Sequence, residues 1–276
     1  MKRSKNWILI YVGTLFFVIL VLIPYFWVLS TSVKRHEDIF RLPIQLIPER
    51  PVLTHYINVL FGPENFQQKF LNSLIVTFST VIVALVISIT SAFALARFRI
   101  RGKFTILKAI LVTQMIPTVV LFVPLYEVFN FLRILDTYWA LVIGNMTFCI
   151  PFAVWLLRSF FLSIPKSIED AGLVDGCSRM QVLLRIVLPI SGPGLVTTAA
   201  FIFIYSWQEY ILALTYLNSA NKYTLPVALT SFIGQYSTQW GPLMAASVIV
   251  TIPVVIMFMI LKRFIVSGVM GGAIKG

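Results

Sequence analysis

The stretch "FLNSLIVTFSTVIVALVISITSAFALARFRIRGKF", Phe70 to Phe104, decides the fold class. Twenty-seven consecutive residues, Phe70 to Ala96, carry no charge; Arg97, Arg99, Arg101 and Lys103 then follow within seven positions. A helix rises about 1.5 Å per residue, so about 20 apolar residues cross the hydrocarbon layer of a bilayer. This run is long enough, and its basic end belongs at the headgroups. Its Ser, Thr, Ala and Val content suits close approach between membrane helices.

The pattern recurs along the chain. Lys5 to Lys34 encloses 28 uncharged residues, Lys108 to Glu127 18, Asp136 to Arg158 21, Arg185 to Glu209 23, and Lys222 to Lys262 39. The chain is 59% hydrophobic and 12% charged, with a mean hydropathy of +0.92, too apolar for a domain with a wet surface. We expect an all-α polytopic membrane protein with six transmembrane helices: about Trp7–Leu29, Asn72–Ala96, Phe104–Phe129, Tyr138–Leu157, Pro193–Leu217 and Leu243–Leu261. Helices are dictated because backbone amides in lipid have no water to bond. The first apolar run is too long for a signal peptide and lacks a small-x-small cleavage site, so it reads as the first span.

A net charge of +12 raises the question of nucleic acid, but its distribution points to topology. With loops assigned alternately, fifteen of the 22 Lys and Arg residues share the side of Lys2 and seven fall opposite. The positive-inside rule then places both termini in the cytoplasm. The Pro-punctuated segment 30–70 becomes extracytoplasmic. Cys149 in a span and Cys177 in a cytoplasmic loop are not expected to pair. His36 and His55 share an outer loop without ligand spacing, and no metal or catalytic site is expected. Gly102-Lys103-Phe104 lacks the earlier glycine and the hydroxyl residue of a phosphate loop, so the chain should bind no ATP itself.

One cytoplasmic passage is polar and organised: "IPKSIEDAGLVDGCSRMQVLLRIVLP", Ile164 to Pro189. It reads as two short helices. Ser167 with Asp170 and Ser178 with Gln181 match capping boxes, and Gly176 falls at the turn between them. Met180, Leu183, Leu184, Val187 and Leu188 form one helical stripe, and Pro189 ends it. Ala171, Gly172 and Gly176 leave room for another backbone. From these residues alone two readings stay open: a knob that docks on a cytoplasmic partner, or an interfacial helix lying on headgroups.

The passage resembles the EAA loop of the membrane subunits of ATP-binding-cassette (ABC) importers. That pattern is Glu-Ala-Ala, three residues, Gly, nine residues, Ile-x-Leu-Pro. Asp170-Ala171-Gly172, Gly176 and Ile186-Val187-Leu188-Pro189 keep its spacing. Asp170 and Gly172 depart from it, and Glu169 partly stands in as the acid. The stretch quoted first, "MIPTVVLFVPLYEV", "PFAVWLLRSFFLSIPKSIEDA" and the tail "GVMGGAIKG" are similar to carbohydrate-uptake permeases of the maltose type, the tail to their smaller subunit. The resemblance implies a type I importer permease fold and a single transmembrane domain over 1–276. It implies a coupling loop over 165–189 that meets an ATPase through Glu169, Asp170, Ala171, Gly172, Asp175, Gly176 and Arg179. ATP and Mg would belong to that separate ATPase dimer. Further implied partners are a second, different permease subunit, an extracytoplasmic solute-binding protein and a carbohydrate.

Sugar recognition in a membrane pocket needs aromatic faces with amide or carboxylate partners. Tyr205, Trp207, Gln208, Glu209 and Tyr210 make the strongest cluster, with Gln114 and Asn145 as further pathway candidates. Polar residues also lock helices together, and aromatics near span ends also form interfacial belts. A secondary transporter or channel without an ATPase is the alternative; it would call for buried ionisable relays or repeats, and the spans carry few charges. A membrane-embedded enzyme lacks a His, Cys or paired-carboxylate constellation in a span.

Overall fold

The computed structural model describes residues 2–234 and 236–273, with side chains over 7–234 and 236–262. The "GVMGGAIKG" tail and the terminal basic side chains therefore lie outside the described side chains. Thirteen α-helices are present among the described residues, and no strand. They are α1 (Lys2–Ser32), α2 (Thr54–Phe61), α3 (Phe66–Arg97), α4 (Lys103–Thr113), α5 (Thr118–Phe131), α6 (Tyr138–Ser163) and α7 (Lys166–Val174). After these come α8 (Arg179–Val182), a π-helical turn Leu183–Val187, α9 (Leu188–Ile190), α10 (Gly192–Trp207), α11 (Ile211–Tyr216), α12 (Leu225–Thr230) and α13 (Trp240–Ala273).

Four helices are long and apolar enough to cross a membrane, and up to six spans result if each of two bent pairs, α4 with α5 and Arg179–Ile190 with α10, counts as one. Two of the expected spans are not straight. The third, expected over Phe104–Phe129, bends by 99° between α4 and α5. Pro117 is the cause: its missing N–H and its clash with the preceding residue exclude a continuous helix, and it sits extended at φ −56°, ψ 127°. The fifth, expected over Pro193–Leu217, is interrupted at Gln208–Tyr210 between α10 and α11. The 16 residues of α10 rise about 24 Å, short of the roughly 30 Å hydrocarbon layer, so the broken segment is needed to complete the crossing. The sixth, α13, starts at Trp240, and α6 runs to Ser163, beyond the expected end at Leu157.

The chain divides into two compact units. The first, Met1–Gln67 with Ala228–Pro253, holds α1, α2 and the outer segment. None of the apolar window of α1 is buried within the chain, as suits a helix solvated by lipid rather than water. Lys34 is buried, with its ammonium 4.5 Å from the centre of the Trp27 ring. His55 Nε2 lies 2.8 Å from the Lys34 carbonyl, and its ring fills the space that a Cβ at Gly241 would take.

The second unit, Gln68–Val227 with Val254–Gly276, is organised around α6. At one end Leu141 packs with Val76, Phe129, Leu212 and Tyr216. In the middle Cys149 and Ala153 meet Ala84 and Ile202. At the other end Leu157 and Phe161 pack with Phe93, Val182, Leu183 and Val187. That last cluster seats the polar passage on the ends of α3 and α6.

Candidate functional site

The Ile164–Pro189 passage folds as two short helices, with two local differences from expectation. The first helix starts at Lys166 with Pro165 at its N-cap, so the Ser167–Asp170 capping box does not form. Proline at that place needs no donor, and the chain turns helical two residues earlier than a cap at Ser167 would allow. The second helix begins as expected: Ser178 N–H donates to Gln181 Oε1 at 2.7 Å, and Gln181 N–H donates to Ser178 Oγ at 3.3 Å. Between them Gly176 takes φ +86°, a left-handed conformation that glycine adopts without a Cβ penalty.

The expected apolar stripe of the second helix is only partly buried. Leu183 and Val187 are buried, but Met180 and Leu184 are exposed, and Val182 is buried in their stead. A π-helical turn follows over Leu183–Val187. Leu188 N–H donates to Leu183 O, five residues back, and this shifts the phase of every later side chain. The helix also passes through Pro189 and ends at Ile190; the break comes at Ser191, where the axis turns by 83° into α10.

The seven candidate coupling residues divide by direction. Glu169 and Gly172 face inward. Glu169 pairs with Arg97 at the end of α3: both Arg97 Nε and the terminal guanidinium donate to Glu169 Oε1, the first at 2.5 Å. Arg97 also donates to the Ile164 carbonyl at 3.0 Å, so it bridges the entry to α7 and its body. A Cβ at Gly172 would overlap the Ile186 side chain, so this small residue lets α7 lie on the following helix. Asp170, Ala171, Asp175, Gly176 and Arg179 are exposed, and with them Val174, 87% exposed at the tip. The sequence reading missed Arg97 as a functional partner. By sequence alone Arg97 reads as a topological anchor, because 72 positions separate it from Glu169.

The pathway candidates do not form one cluster. Trp207 is buried, stacked on Phe203 with ring centres 5.6 Å apart and edge-on to Phe70 at 6.0 Å. Glu209 caps α11: Oε1 accepts from Leu212 N–H at 2.5 Å and Oε2 from Ala213 N–H at 3.1 Å. Gln208 is exposed, and Tyr210 packs against the Leu141–Tyr216 cluster. Asn145 is buried and donates to Ser206 Oγ at 3.2 Å; Ser206 in turn donates to Thr80 Oγ1 at 3.4 Å. This polar seam joins α6, α10 and α3, and the Asn145 Oδ1 acceptor has no partner among the described residues. Gln114, exposed at the α4–α5 break, reaches the Phe148 carbonyl at 3.4 Å, and the Tyr205 ring lies 6.3 Å from the Phe148 ring. Gln114 and Tyr205 thus meet at Phe148. Asn145 is one turn away on α6.

Residues 84–271 match the family described as "Binding-protein-dependent transport system inner membrane component". The chain belongs to this family. It is an inner-membrane ABC transporter permease. It is 37% identical over its whole length to the inner membrane ABC transporter permease protein YcjP of Escherichia coli (strain K12), covering 99% of that protein. It is 34% identical, over 98% of this chain and 97% of the relative, to the trehalose/maltose transport system permease protein MalG of Thermococcus litoralis. In fold, the permease is similar to a chain of a bacterial ABC transporter involved in the import of alginate. The TM-score is 0.81 at 24% identity, over 95% of this chain and 97% of that one.

Proposed function

We propose that this permease is one half of the translocation pathway of an ATP-driven, binding-protein-dependent sugar importer, a single transmembrane domain with both termini in the cytoplasm. A second permease subunit forms the other half, an ATPase dimer holding ATP and Mg supplies the energy, and an extracytoplasmic binding protein delivers the sugar. The observation that carries the reading is the 165–189 knob. Its polar and small residues Asp170, Ala171, Asp175 and Gly176 and the bare Val174 point away from the chain, while Arg97 and Glu169 hold its base to α3. An outward tip on a rigid base is what a coupling element needs: a displaced tip moves the attached spans, and two packings of those spans can face opposite sides of the membrane. Gln114, Tyr205 and Gln208, at or near the two helix breaks, are the residues we assign to the sugar path, with Asn145 behind them. Trp207 and Glu209 serve the packing and capping of that region.

The test is Gly176→Glu in the intact importer. A side chain at φ +86° on the docking tip should leave membrane insertion unchanged and reduce retention of the ATPase and ATP-dependent sugar uptake together. Unchanged retention and uptake would count against coupling through this loop.

A further inference from the structure

A second surface is not used by this reading. The turn between α3 and α4 forms an open recess of about 580 Å³ lined by Phe98, Arg99, Ile100, Arg101, Lys103 and Phe104 among others, with no acidic residue in its lining. Gly102 takes φ +74°, which closes the turn tightly and crowds three cations into five positions. Arg158 and Lys166 lie within electrostatic reach of Lys103 and add like charge. Arg158 is held there by donating to the Leu95 carbonyl at 3.4 Å. None of Arg99, Arg101, Lys103 and Lys166 has an ion pair among the described residues.

Like charges packed together without acids repel one another, and an anion relieves the repulsion. The neighbouring surface says which anion. Phe98 and Phe104 are 41% and 76% exposed, and α4 continues from the recess with Ile106, Leu111 and Val112 exposed. A soluble anion has no use for that apolar border, whereas a phospholipid places its phosphate among the cations and its acyl chains along α4. A recess in the 30–70 segment shows the contrast: Arg35, Arg41 and Arg50 there are matched by Glu37, Asp38 and Glu49.

We propose that the α3–α4 turn is a binding site for the headgroup of an anionic phospholipid, with Arg99, Arg101 and Lys103 as its ligands. This goes beyond the transport reading and does not depend on which solute is carried. The site holds the broken third span at the membrane surface through its first helix.

To test it, the tagged permease, purified with its natural subunits in mild detergent, is titrated with dioleoyl phosphatidylglycerol or dioleoyl phosphatidylcholine. Bound lipid is counted by native mass spectrometry. The variant Arg99→Gln/Arg101→Gln/Lys103→Gln should retain phosphatidylglycerol about a hundredfold more weakly, from three surface cations lost. Phosphatidylcholine retention should not change. Arg99→Lys/Arg101→Lys, which keeps the charge, and Arg35→Gln/Arg41→Gln/Arg50→Gln, which removes three cations elsewhere, should both retain phosphatidylglycerol as the unaltered protein does. Equal phosphatidylglycerol retention by the neutralised variant would overturn the proposal. So would loss of an accompanying subunit from that variant, which would make the turn a protein-docking face.

Discussion

Replacing Glu169 by Gln keeps the size of the side chain and removes its charge. The Arg97 and Glu169 side chains are 4% and 2% exposed, so the Arg97 guanidinium would be left buried without a counter-ion. Breaking a buried pair on one side costs about 3–5 kcal/mol. The Ile164 carbonyl still accepts from Arg97 at 3.0 Å, which places the expected loss near the lower end, about 3 kcal/mol. Replacing both partners, Arg97→Met/Glu169→Met, removes the stranded charge and should recover most of the loss, to within about 1 kcal/mol of the unaltered protein. The assay is unfolding of the purified permease in detergent, followed by tryptophan fluorescence, on Glu169→Gln and on the cycle formed by Arg97→Met, Glu169→Met and the double Met variant. A cost below about 1 kcal/mol for Glu169→Gln, or a double variant as unstable as the sum of the singles, would refute the argument that this pair clamps α7 to α3.

Ser178→Ala removes one half of the capping box and should cost about 1 kcal/mol, seen as faster amide exchange over residues 178–182 with α6 unchanged. Gly172→Val forces a Cβ into the Ile186 side chain and should cost about 1–3 kcal/mol of thermal stability, a loss that Gly172→Val/Ile186→Ala partly restores. At the opposite end of α6, Lys222 and the Ser219 hydroxyl hold the Asp136 carboxyl below the usual carboxylate range. The stabilisation this gives is complete above the unfolded-chain value of about 3.9 and fades as pH falls through the lower folded value. The difference in melting temperature between the unaltered protein and Asp136→Asn should therefore stay flat from about pH 8 to 5 and shrink below about pH 4.

Six spans were legible because charge-free intervals report the one strict demand of a bilayer, and the demand acts on composition alone. Gly176 and the Ser178–Gln181 box were legible because their chemistry is local: a left-handed turn and two bonds across three residues. The bend at Pro117 had a visible cause, yet a proline in a membrane helix also fits a mild kink, as Pro24 and Pro151 do inside continuous helices. The interruption at Gln208–Tyr210 had no glycine or proline to mark it; Glu209 makes it possible by capping the next helix with its own side chain. The π turn over Leu183–Val187 was hidden because periodicity counts assume 3.6 residues per turn. Trp207 and Asn145 were visible as residue types, but whether they face a path or a neighbour depends on partners tens of positions away: Phe70 for one, Ser206 for the other.

The central claim is that this permease works as a subunit driven by a separate ATPase. The most direct test is to purify the tagged chain from its own host in mild detergent, identify what accompanies it by mass spectrometry, and assay the preparation in liposomes. The account predicts a second permease and an ATPase in the preparation, with sugar uptake that requires both ATP and the binding protein. Recovery of the chain alone, moving solute without ATP, would contradict it.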